Sequence, residues 1–362
     1  MGLSYPKEAE KMKLLHIISS LEIGGAQRLL SDLLSVQKEQ GLDVELLVNV
    51  RVENEFTAKI ENSGIKITSL DIPNLYSLSN VMRLRGIIKR YDVVHVHLFP
   101  SVYWVAIASI GLNVKLVYTE HSTSNRRREK TYLRPIEKFV YRQYDRIISI
   151  SQQTQDALQQ WLQSRDGRFV VVDNGLDTKR ISSIRRSVIP KSLIMVSRFV
   201  AAKDQETLIR AMKYINKEVV LRLVGDGDKL EHCKRIAVDE GVSDRVEFLG
   251  LRSDVEELIA ESYVGVQSSN WEGFGLTAVE IMAAGKPVIA SDVDGLKQVV
   301  EGAGIVFGRG DVDELAEKIT QLLEDKEYYE IVAEACKQRA KVYDISVMAS
   351  KYESVYYGLT KD

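Results

Sequence analysis

Short runs of β-branched residues alternate with longer amphipathic stretches along the whole chain, and this alternation constrains the fold more than any other feature. Strands that alternate with helices form parallel sheets covered by helices, because each crossover between parallel strands needs a long connection. A chain of 362 residues is long enough for two domains, each with its own core. The predicted strands are 13–19, 43–50, 66–70, 92–97, 116–119, 146–150 and 169–172 in the first half, and 192–197, 219–224, 245–249, 264–267, 288–290 and 304–307 in the second.

The boundary between the two predicted domains falls near residue 180. Asn174-Gly175 is typical of a turn, and Pro190 precedes a new strand. The final stretch carries apolar residues at helical spacing, so it could close the second domain or return to the first. The predicted domains are 1–180, 181–343 and a terminal segment 344–362.

Cysteine usage and apolar stretches indicate a cytoplasmic protein that is not integral to a membrane. Cys233 and Cys336 have no metal-ligand spacing, so neither a disulfide framework nor a zinc site is predicted. Met1–Lys11 is polar, lacks the pattern of a signal peptide, and is expected to be a disordered start. The longest apolar stretch, Val102–Leu112, is shorter than the roughly 20 residues that a membrane-spanning helix requires.

Charge is divided unevenly between the halves of the chain. Residues 1–190 carry 27 basic and 20 acidic side chains, a balance of +7, whereas the remainder carries 22 and 31, a balance of −9. Such asymmetry suggests that the first half meets an anionic partner, for example the inner face of a membrane or a pyrophosphate-bearing acceptor. A solvated helix face explains the same charges equally well. Nucleic acid is not expected, because the basic residues are not interleaved with aromatic residues in a binding motif.

Residues 268–295 contain two glutamates, Glu272 and Glu280, around a Gly-Phe-Gly turn that opens a helix. Glycines at a helix N-terminus leave backbone N–H groups free to meet an anion or hydroxyls. Carboxylates accept hydrogen bonds from hydroxyls and repel phosphate. The pattern therefore indicates a ligand with hydroxyls and negative charge, such as a nucleotide sugar. An ordinary strand–loop–helix unit with two solvated acids is the alternative.

Two cations follow the first strand of the second half. Arg198 and Lys203 stand five positions apart, where an arginine fork and a lysine point charge can hold a diphosphate from two sides. Negative charge builds on a phosphate that leaves a sugar, so these cations would stabilise the transition state more than the ground state. Alone, this spacing is weak evidence for such a site.

These motifs, in this order, resemble glycosyltransferase family 4, the retaining enzymes built from two facing Rossmann-like domains of the GT-B fold. The resemblance runs from about Met12 to Asp362. It implies an α/β protein with an interdomain cleft, an acceptor-binding first domain, a donor-binding second domain, and a C-terminal helix that crosses back to the first domain. The family usually has glycine before the arginine and after the lysine; Ser197 and Asp204 stand here instead, which leaves the geometry of that loop open.

The resemblance also implies site residues. Glu272 would hold hydroxyls of the transferred sugar, Glu280 the ribose, and His121 would lie beside the donor sugar. The implied catalytic residues are His121, Arg198, Lys203 and Glu272. The implied donor-binding residues are Gly24, Gly25, Arg198, Lys203, Leu251, Glu272, Gly273, Phe274, Gly275, Leu276 and Glu280. The implied acceptor-binding residues are His97, Arg126 and Arg127.

No metal and no cofactor other than the nucleotide-sugar co-substrate is expected. His95 and His97 share one face of a strand, but no third ligand is evident in the sequence. His16 and His232 are expected to have packing or solvent roles. The pairs Asp226/Asp228 and Asp292/Asp294 resemble metal-binding motifs, but they are interpreted as turn residues with local hydrogen bonds.

The sequence therefore predicts a retaining glycosyltransferase, of the hexosyl or N-acetylhexosaminyl type. It would transfer a sugar, with a UDP-sugar as the expected donor, to a glycan or a lipid-linked acceptor in the synthesis of cell-surface polysaccharide or glycolipid. The basic first half allows peripheral contact with an anionic membrane. Two alternatives remain open: a non-hydrolysing nucleotide-sugar epimerase of the same shape, and a non-catalytic partner subunit of a glycosyltransferase.

Overall fold

The structure is a computed structural model, and it describes residues 12–22, 24–71, 79–123 and 127–360. The predicted disordered start, Met1–Lys11, and the candidate acceptor residue Arg126 lie outside these ranges. The chain divides into two compact units, the first running to Val172 and resuming at Met348, and the second spanning Asp173–Val347.

The first unit is a seven-stranded parallel sheet with the strand order β3-β2-β1-β4-β5-β6-β7. Its strands are β1 (Lys13–Ile18), β2 (Asp43–Val48), β3 (Ile67–Ser69), β4 (Val93–His97), β5 (Lys115–Glu120), β6 (Arg146–Ser149) and β7 (Phe169–Val171). Its helices are α1 (Gly25–Glu39), α2 (Glu55–Asn62), α3 (Ser79–Ile88), α4 (Ser101–Ala108), α5 (Arg134–Arg142) and α6 (Gln152–Leu162). The near-continuous apolar strands fit a sheet that is covered on both faces.

The second unit is a six-stranded parallel sheet with the order β10-β9-β8-β11-β12-β13. Its strands are β8 (Ser192–Val196), β9 (Val220–Val224), β10 (Val246–Gly250), β11 (Val264–Gln267), β12 (Val288–Ser291) and β13 (Ile305–Phe307). Its helices are α7 (Thr178–Ser183), α8 (Gln205–Ala211), α9 (Leu230–Asp239), α10 (Val255–Glu261), α11 (Leu276–Ala283), α12 (Lys297–Val300), α13 (Val312–Glu324) and α14 (Lys326–Ala340).

All thirteen predicted strands are present, and their ends differ from the predicted ones by no more than a few residues. The sequence pattern predicts a helix over Gly227–Glu240, but α9 begins at Leu230. Gly227 has a φ of +153°, a backbone conformation outside the helical region that is largely restricted to glycine. The turn before α9 is thus longer than the hydrophobic pattern indicated.

The terminal helix α15 (Ile345–Thr360) joins the first unit from Met348 onward, as predicted. Tyr352 and Tyr356 on this helix are buried, and the hydroxyl of Tyr356 lies 2.7 Å from Nδ1 of His95 on β4. The first domain is therefore completed by the end of the chain.

Each sheet reverses its strand order at one place, between β1 and β4 in the first unit and between β8 and β11 in the second. Ligands of open parallel sheets bind beyond the carboxyl ends of the strands at such a place, because the loops there diverge and leave a crevice. Arg198 follows β8 and Glu272 follows β11, so both lie at the crevice of the second sheet. No helix among the described residues is long and apolar enough to cross a bilayer.

Candidate functional site

The loop after β8 places Arg198 at the surface on a tightly held backbone. The amide of Phe199 donates to the carbonyl of Asp226 over 2.9 Å, and the buried Gln205 side chain donates to the carbonyl of Arg198 over 3.0 Å. A Cβ at Gly225 would overlap the carbonyl oxygen of Ser197, so only glycine allows the neighbouring loop to come this close. The Arg198 side chain is exposed while its backbone is fixed from two sides.

Asp204 keeps the backbone conformation that glycine usually has in this loop. Its φ of +49° lies in the left-handed region, which aspartate tolerates better than most residues. Its carboxylate also accepts hydrogen bonds from the amide and hydroxyl of Thr207 and so caps α8. The departure from the family pattern is therefore compensated locally, and the turn that presents Lys203 is preserved.

Lys203 and Glu272 form an ion pair within the second unit. The backbone holds the two loops together, because the amide of Asn270 donates to the carbonyl of Ala202 over 2.8 Å. Glu272 also accepts a hydrogen bond of 3.1 Å from the amide of Gly273. The structure thus brings together a cation and a carboxylate that are 69 positions apart in the sequence.

Helix α11 begins directly after the glycine turn, at Leu276. Among the described residues, the backbone amides of Phe274, Gly275 and Leu276 have no acceptor, as the start of a helix requires unless a ligand supplies one. Gly275 has a φ of +77°, which a side chain would strain. Glu280 lies on the same helix about one turn further on, as the sequence predicted.

A second glycine turn packs against the turn that carries Glu272. Gly295 has a φ of +81°, and a Cβ at this position would overlap the carbonyl oxygen of Glu272. Its amide donates to Oε1 of Gln298 over 3.0 Å, which fixes the turn before α12. By contrast, a Cβ at Gly273 would have no neighbour within 4 Å. The backbone of Glu272 is therefore packed against Gly295, whereas there is room for a side chain at Gly273.

Leu251 lies at its predicted loop in the second unit, and Gly24 and Gly25 lie at theirs in the first unit. Leu251 follows Gly250 after β10, and its side chain is 78% exposed. Gly24 has extended backbone before α1, and a Cβ at Gly25 would meet nothing within 4 Å. Neither backbone strain nor packing explains both glycines, so the roles assigned to these three residues stay predictions.

The first unit contains a row of histidines that the sequence analysis did not connect. His97 lies between His16 and His121. Nε2 of His97 is 3.0 Å from Nδ1 of His16, and Nδ1 of His97 is 3.2 Å from Nε2 of His121. His95 is next to this row, with its ring 4.3 Å from that of His97. Burial lowers the pKa of His16 to about 3 and that of His121 to about 4, and it lowers the pKa of His95 and His97 well below the usual value.

His16 is the third histidine that the sequence interpretation lacked. It comes from β1, which lies next to β4 in the sheet, with His16 directly beside His95. Among the described residues, His16, His95 and His97 are the one group of three whose ligand atoms lie close enough together, within 4.8 Å, to hold a metal ion. The sequence analysis found no third ligand beside His95 and His97, because strand register, which a single sequence does not reveal, brings His16 next to them.

The Arg127 side chain binds other side chains of the first unit. Its Nε donates to the buried carboxylate of Glu137 over 2.9 Å, and its guanidinium stacks over the ring of Phe99 at 4.4 Å. Glu137 also accepts from the hydroxyl of Tyr103 and from the indole of Trp161, each over 2.6 Å. Part of the basic charge of the first half, that of Arg127, therefore neutralises a buried acid.

Glu120 is a second buried acid in this region. Burial raises its pKa, and the guanidinium of Arg128, 2.6 Å away, opposes that rise. The sequence analysis missed both Glu120 and Glu137; the signal for Glu120 is its position at the end of an apolar strand, and Glu137 carries none.

One aspartate of each pair has a local partner. Asp226 accepts a hydrogen bond of 2.7 Å from the next amide, that of Gly227, which is the local turn interaction predicted for it. Asp292 pairs with Lys297 at 3.0 Å.

Comparison with known proteins identifies relatives over nearly the whole chain. The family model described as "Glycosyltransferase Family 4" matches residues 23–180, and the model described as "Glycosyl transferases group 1" matches residues 178–340. N-acetyl-alpha-D-glucosaminyl L-malate synthase from Bacillus anthracis is 28% identical, with 79% of this chain and 80% of that protein covered. UDP-Gal:alpha-D-GlcNAc-diphosphoundecaprenol alpha-1,3-galactosyltransferase from Escherichia coli is 22% identical, with 96% and 97% covered.

The fold is also similar to that of solved structures. Anabaena Alr3699/HepE in complex with UDP matches with a TM-score of 0.84 and 24% identity, over 96% of this chain and 100% of that one. The two parallel sheets and the terminal helix therefore also occur in another protein.

Proposed function

Because this chain belongs to glycosyltransferase family 4 and has the two Rossmann-like domains of the GT-B fold, we propose that it transfers a hexosyl or N-acetylhexosaminyl group from a UDP-sugar, with retention at the anomeric carbon. The coarser activity, a glycosyltransferase that uses nucleotide sugars, follows from the family. The observation that carries the proposal is the convergence of Arg198, Lys203, Glu272 and the free amides of α11 at one end of the second sheet.

The two cations are assigned to the donor diphosphate. Arg198 is exposed on a rigid backbone, and Lys203 is held beside it in the same loop. As the bond between sugar and phosphate breaks, charge accumulates on the leaving diphosphate, and fixed cations stabilise it without having to reorganise. Lys203 would exchange part of its contact with Glu272 for the phosphate when the donor binds.

Glu272 is assigned to sugar hydroxyls and Glu280 to the ribose. The ion pair with Lys203 and the hydrogen bond from Gly273 spread the charge of the Glu272 carboxylate, which makes it a weak nucleophile and a good hydroxyl acceptor. This favours a same-face displacement, in which the leaving phosphate assists the acceptor hydroxyl, over a covalent glycosyl-enzyme intermediate.

Donor binding can be tested by thermal unfolding of the purified protein with UDP-, GDP- and ADP-sugars, in the presence and absence of EDTA. We expect stabilisation selective for one UDP-sugar, about 2.7 kcal/mol at a ligand concentration of 100 times Kd, with no dependence on EDTA. The absence of a shift with every nucleotide sugar would contradict the proposed donor site. Conversion of the UDP-sugar without any acceptor would indicate an epimerase instead.

A lipid-linked acceptor is proposed for the transferred sugar. One relative is named as acting on a diphosphoundecaprenol acceptor, and an acceptor of this kind resides at a membrane. Helix α5 presents an apolar outer face made of Ile136 and Phe139, both about half exposed, with Tyr132 one turn before them. Lys138 and Arg142 flank this face. An amphipathic helix with basic flanks binds in the plane of an anionic bilayer surface.

If α5 binds the membrane, the double variant I136E/F139E should lose its binding to vesicles. The wild-type protein should co-sediment with vesicles of phosphatidylglycerol and phosphatidylcholine and remain free with phosphatidylcholine alone, because the attraction is partly electrostatic. The double variant should remain free in both cases. V238E, which adds one glutamate at an exposed apolar position of α9, is the control and should co-sediment like the wild type. Equal sedimentation of the double variant would exclude α5 as the contact.

A further inference from the structure

The histidine row in the first unit has an ordered set of hydrogen bonds that donor binding does not explain. His16 and His97 are buried, whereas His121 is partly exposed to solvent. The row therefore connects the interior of the sheet to a single ring that an outside group can reach.

The number of protons on these rings limits which ring nitrogens can donate and which can accept. Burial keeps them neutral, and a neutral imidazole has one N–H and one lone pair. Two hydrogen bonds join three rings, so all the protons must point the same way along the row. Either Nε2 of His121 donates to His97, which donates to His16, or the whole series runs from His16 to His121.

Gln37 on α1 decides between the two directions. Its amide nitrogen faces the hydroxyl of Tyr356 at 3.5 Å, which leaves its Oε1 for another donor. Oε1 of Gln37 and Nε2 of His16 are both buried and lack a partner within ordinary hydrogen-bond geometry, and the Gln37 side chain is close enough to raise the pKa of His16 against the effect of burial. A proton on Nε2 of His16 makes these two atoms a matching donor and acceptor. The reverse order sets a lone pair against a carbonyl oxygen in a dry interior, where unpaired polar atoms are costly.

We propose that Gln37, His16 and His97 are positioning residues that hold the proton of His121 on Nε2 and leave its Nδ1 as an acceptor for a sugar hydroxyl. The tautomer is a property of the free protein, and only the identity of the ligand rests on the proposed function. A hydroxyl is a hydrogen-bond donor, and the lone pair of a neutral imidazole is its matching acceptor.

A metal ion is the competing use of the same side chains. Ligands about 2.0–2.1 Å from a tetrahedral zinc lie about 3.3–3.4 Å apart, whereas His16 and His97 approach to 3.0 Å, a hydrogen-bond distance. His95 also uses both of its nitrogens, each 2.7 Å from a hydroxyl, that of Tyr356 or that of Thr119. The hydrogen-bonded arrangement therefore accounts for these side chains better.

The tautomer can be read directly from side-chain 15N shifts in a long-range 1H–15N spectrum near neutral pH, with H121N assigning the signal. We expect a protonated Nε2 and an unprotonated Nδ1 for His121 in the wild type. H97L should abolish this preference and lower kcat/KM for transfer about 10- to 100-fold, the effect of losing one buried hydrogen bond. H97N supplies an amide oxygen in place of Nδ1, and it should restore the tautomer and most of the activity.

Q37M tests the far end of the row in case H97L does not fold. It removes the acceptor for His16 and should turn His121 into a mixture of tautomers. A wild-type His121 protonated on Nδ1, an unchanged tautomer in folded H97L or Q37M, or one equivalent of metal by elemental analysis that H16N releases would each overturn the proposal. If the tautomer is as expected but no UDP-sugar binds, only the proposed function fails.

Discussion

Replacing Arg198 by alanine is expected to lower kcat/KM for sugar transfer by about 10²–10³-fold, the usual effect of removing one preorganised group that stabilises transition-state charge. The guanidinium is exposed while its backbone is fixed by Phe199 and Gln205, so the substitution removes charge without disturbing the loop. Steady-state kinetics with the UDP-sugar identified by thermal unfolding, together with a melting curve, measures both effects.

Two variants calibrate this result. R235A removes an exposed arginine from α9 in the same domain and should keep wild-type kinetics. R198K keeps the charge but not the two-pronged geometry, and it should fall between the wild type and R198A. Full activity of R198A would remove the main support for charge stabilisation at the leaving diphosphate.

Gly295→Ala is expected to destabilise the second domain by about 2–5 kcal/mol, because left-handed backbone strain and steric overlap act together. The φ of Gly295 is +81°, and the added Cβ would meet the carbonyl oxygen of Glu272, whose backbone cannot move without displacing the Lys203 ion pair. Denaturant unfolding should show a lower midpoint with an unchanged slope. Transfer activity should fall even below the melting temperature.

Gly273→Ala is the matched substitution in the turn that Gly295 packs against. Its Cβ would meet nothing within 4 Å, so the free energy of unfolding should stay within about 1 kcal/mol of the wild type. Donor affinity should nevertheless fall, because Gly273 lies in the turn proposed to contact the sugar and diphosphate. Equal stability of the two variants would show that the packing of Gly295 against Glu272 is not a constraint on the fold.

Local patterns were enough to predict the architecture. Short β-branched runs between amphipathic stretches identified every strand of both sheets, because parallel strands are continuous apolar runs that turn residues interrupt. The E-x7-E string and the Arg198–Lys203 spacing lie within single strand–loop–helix units, so their chain positions already fixed which end of a strand they follow. The compensation at Asp204 could not be predicted, because it depends on one backbone angle.

The histidine row and the buried acids depended on tertiary structure alone. His16 and His97 are 81 positions apart, and they meet because β1 pairs with β4 in one particular register. The basic residues beside them looked like a surface patch, although Arg127 and Arg128 neutralise acids in the interior.

The sequence by itself thus determined the two α/β sheets, the family and the chain positions of the motifs proposed to bind the donor, since these are encoded in local periodicity and short strings. Only the tertiary structure decided which distant side chains share a hydrogen bond. Strand order and register bring together residues whose separation along the chain carries no information about their distance in space.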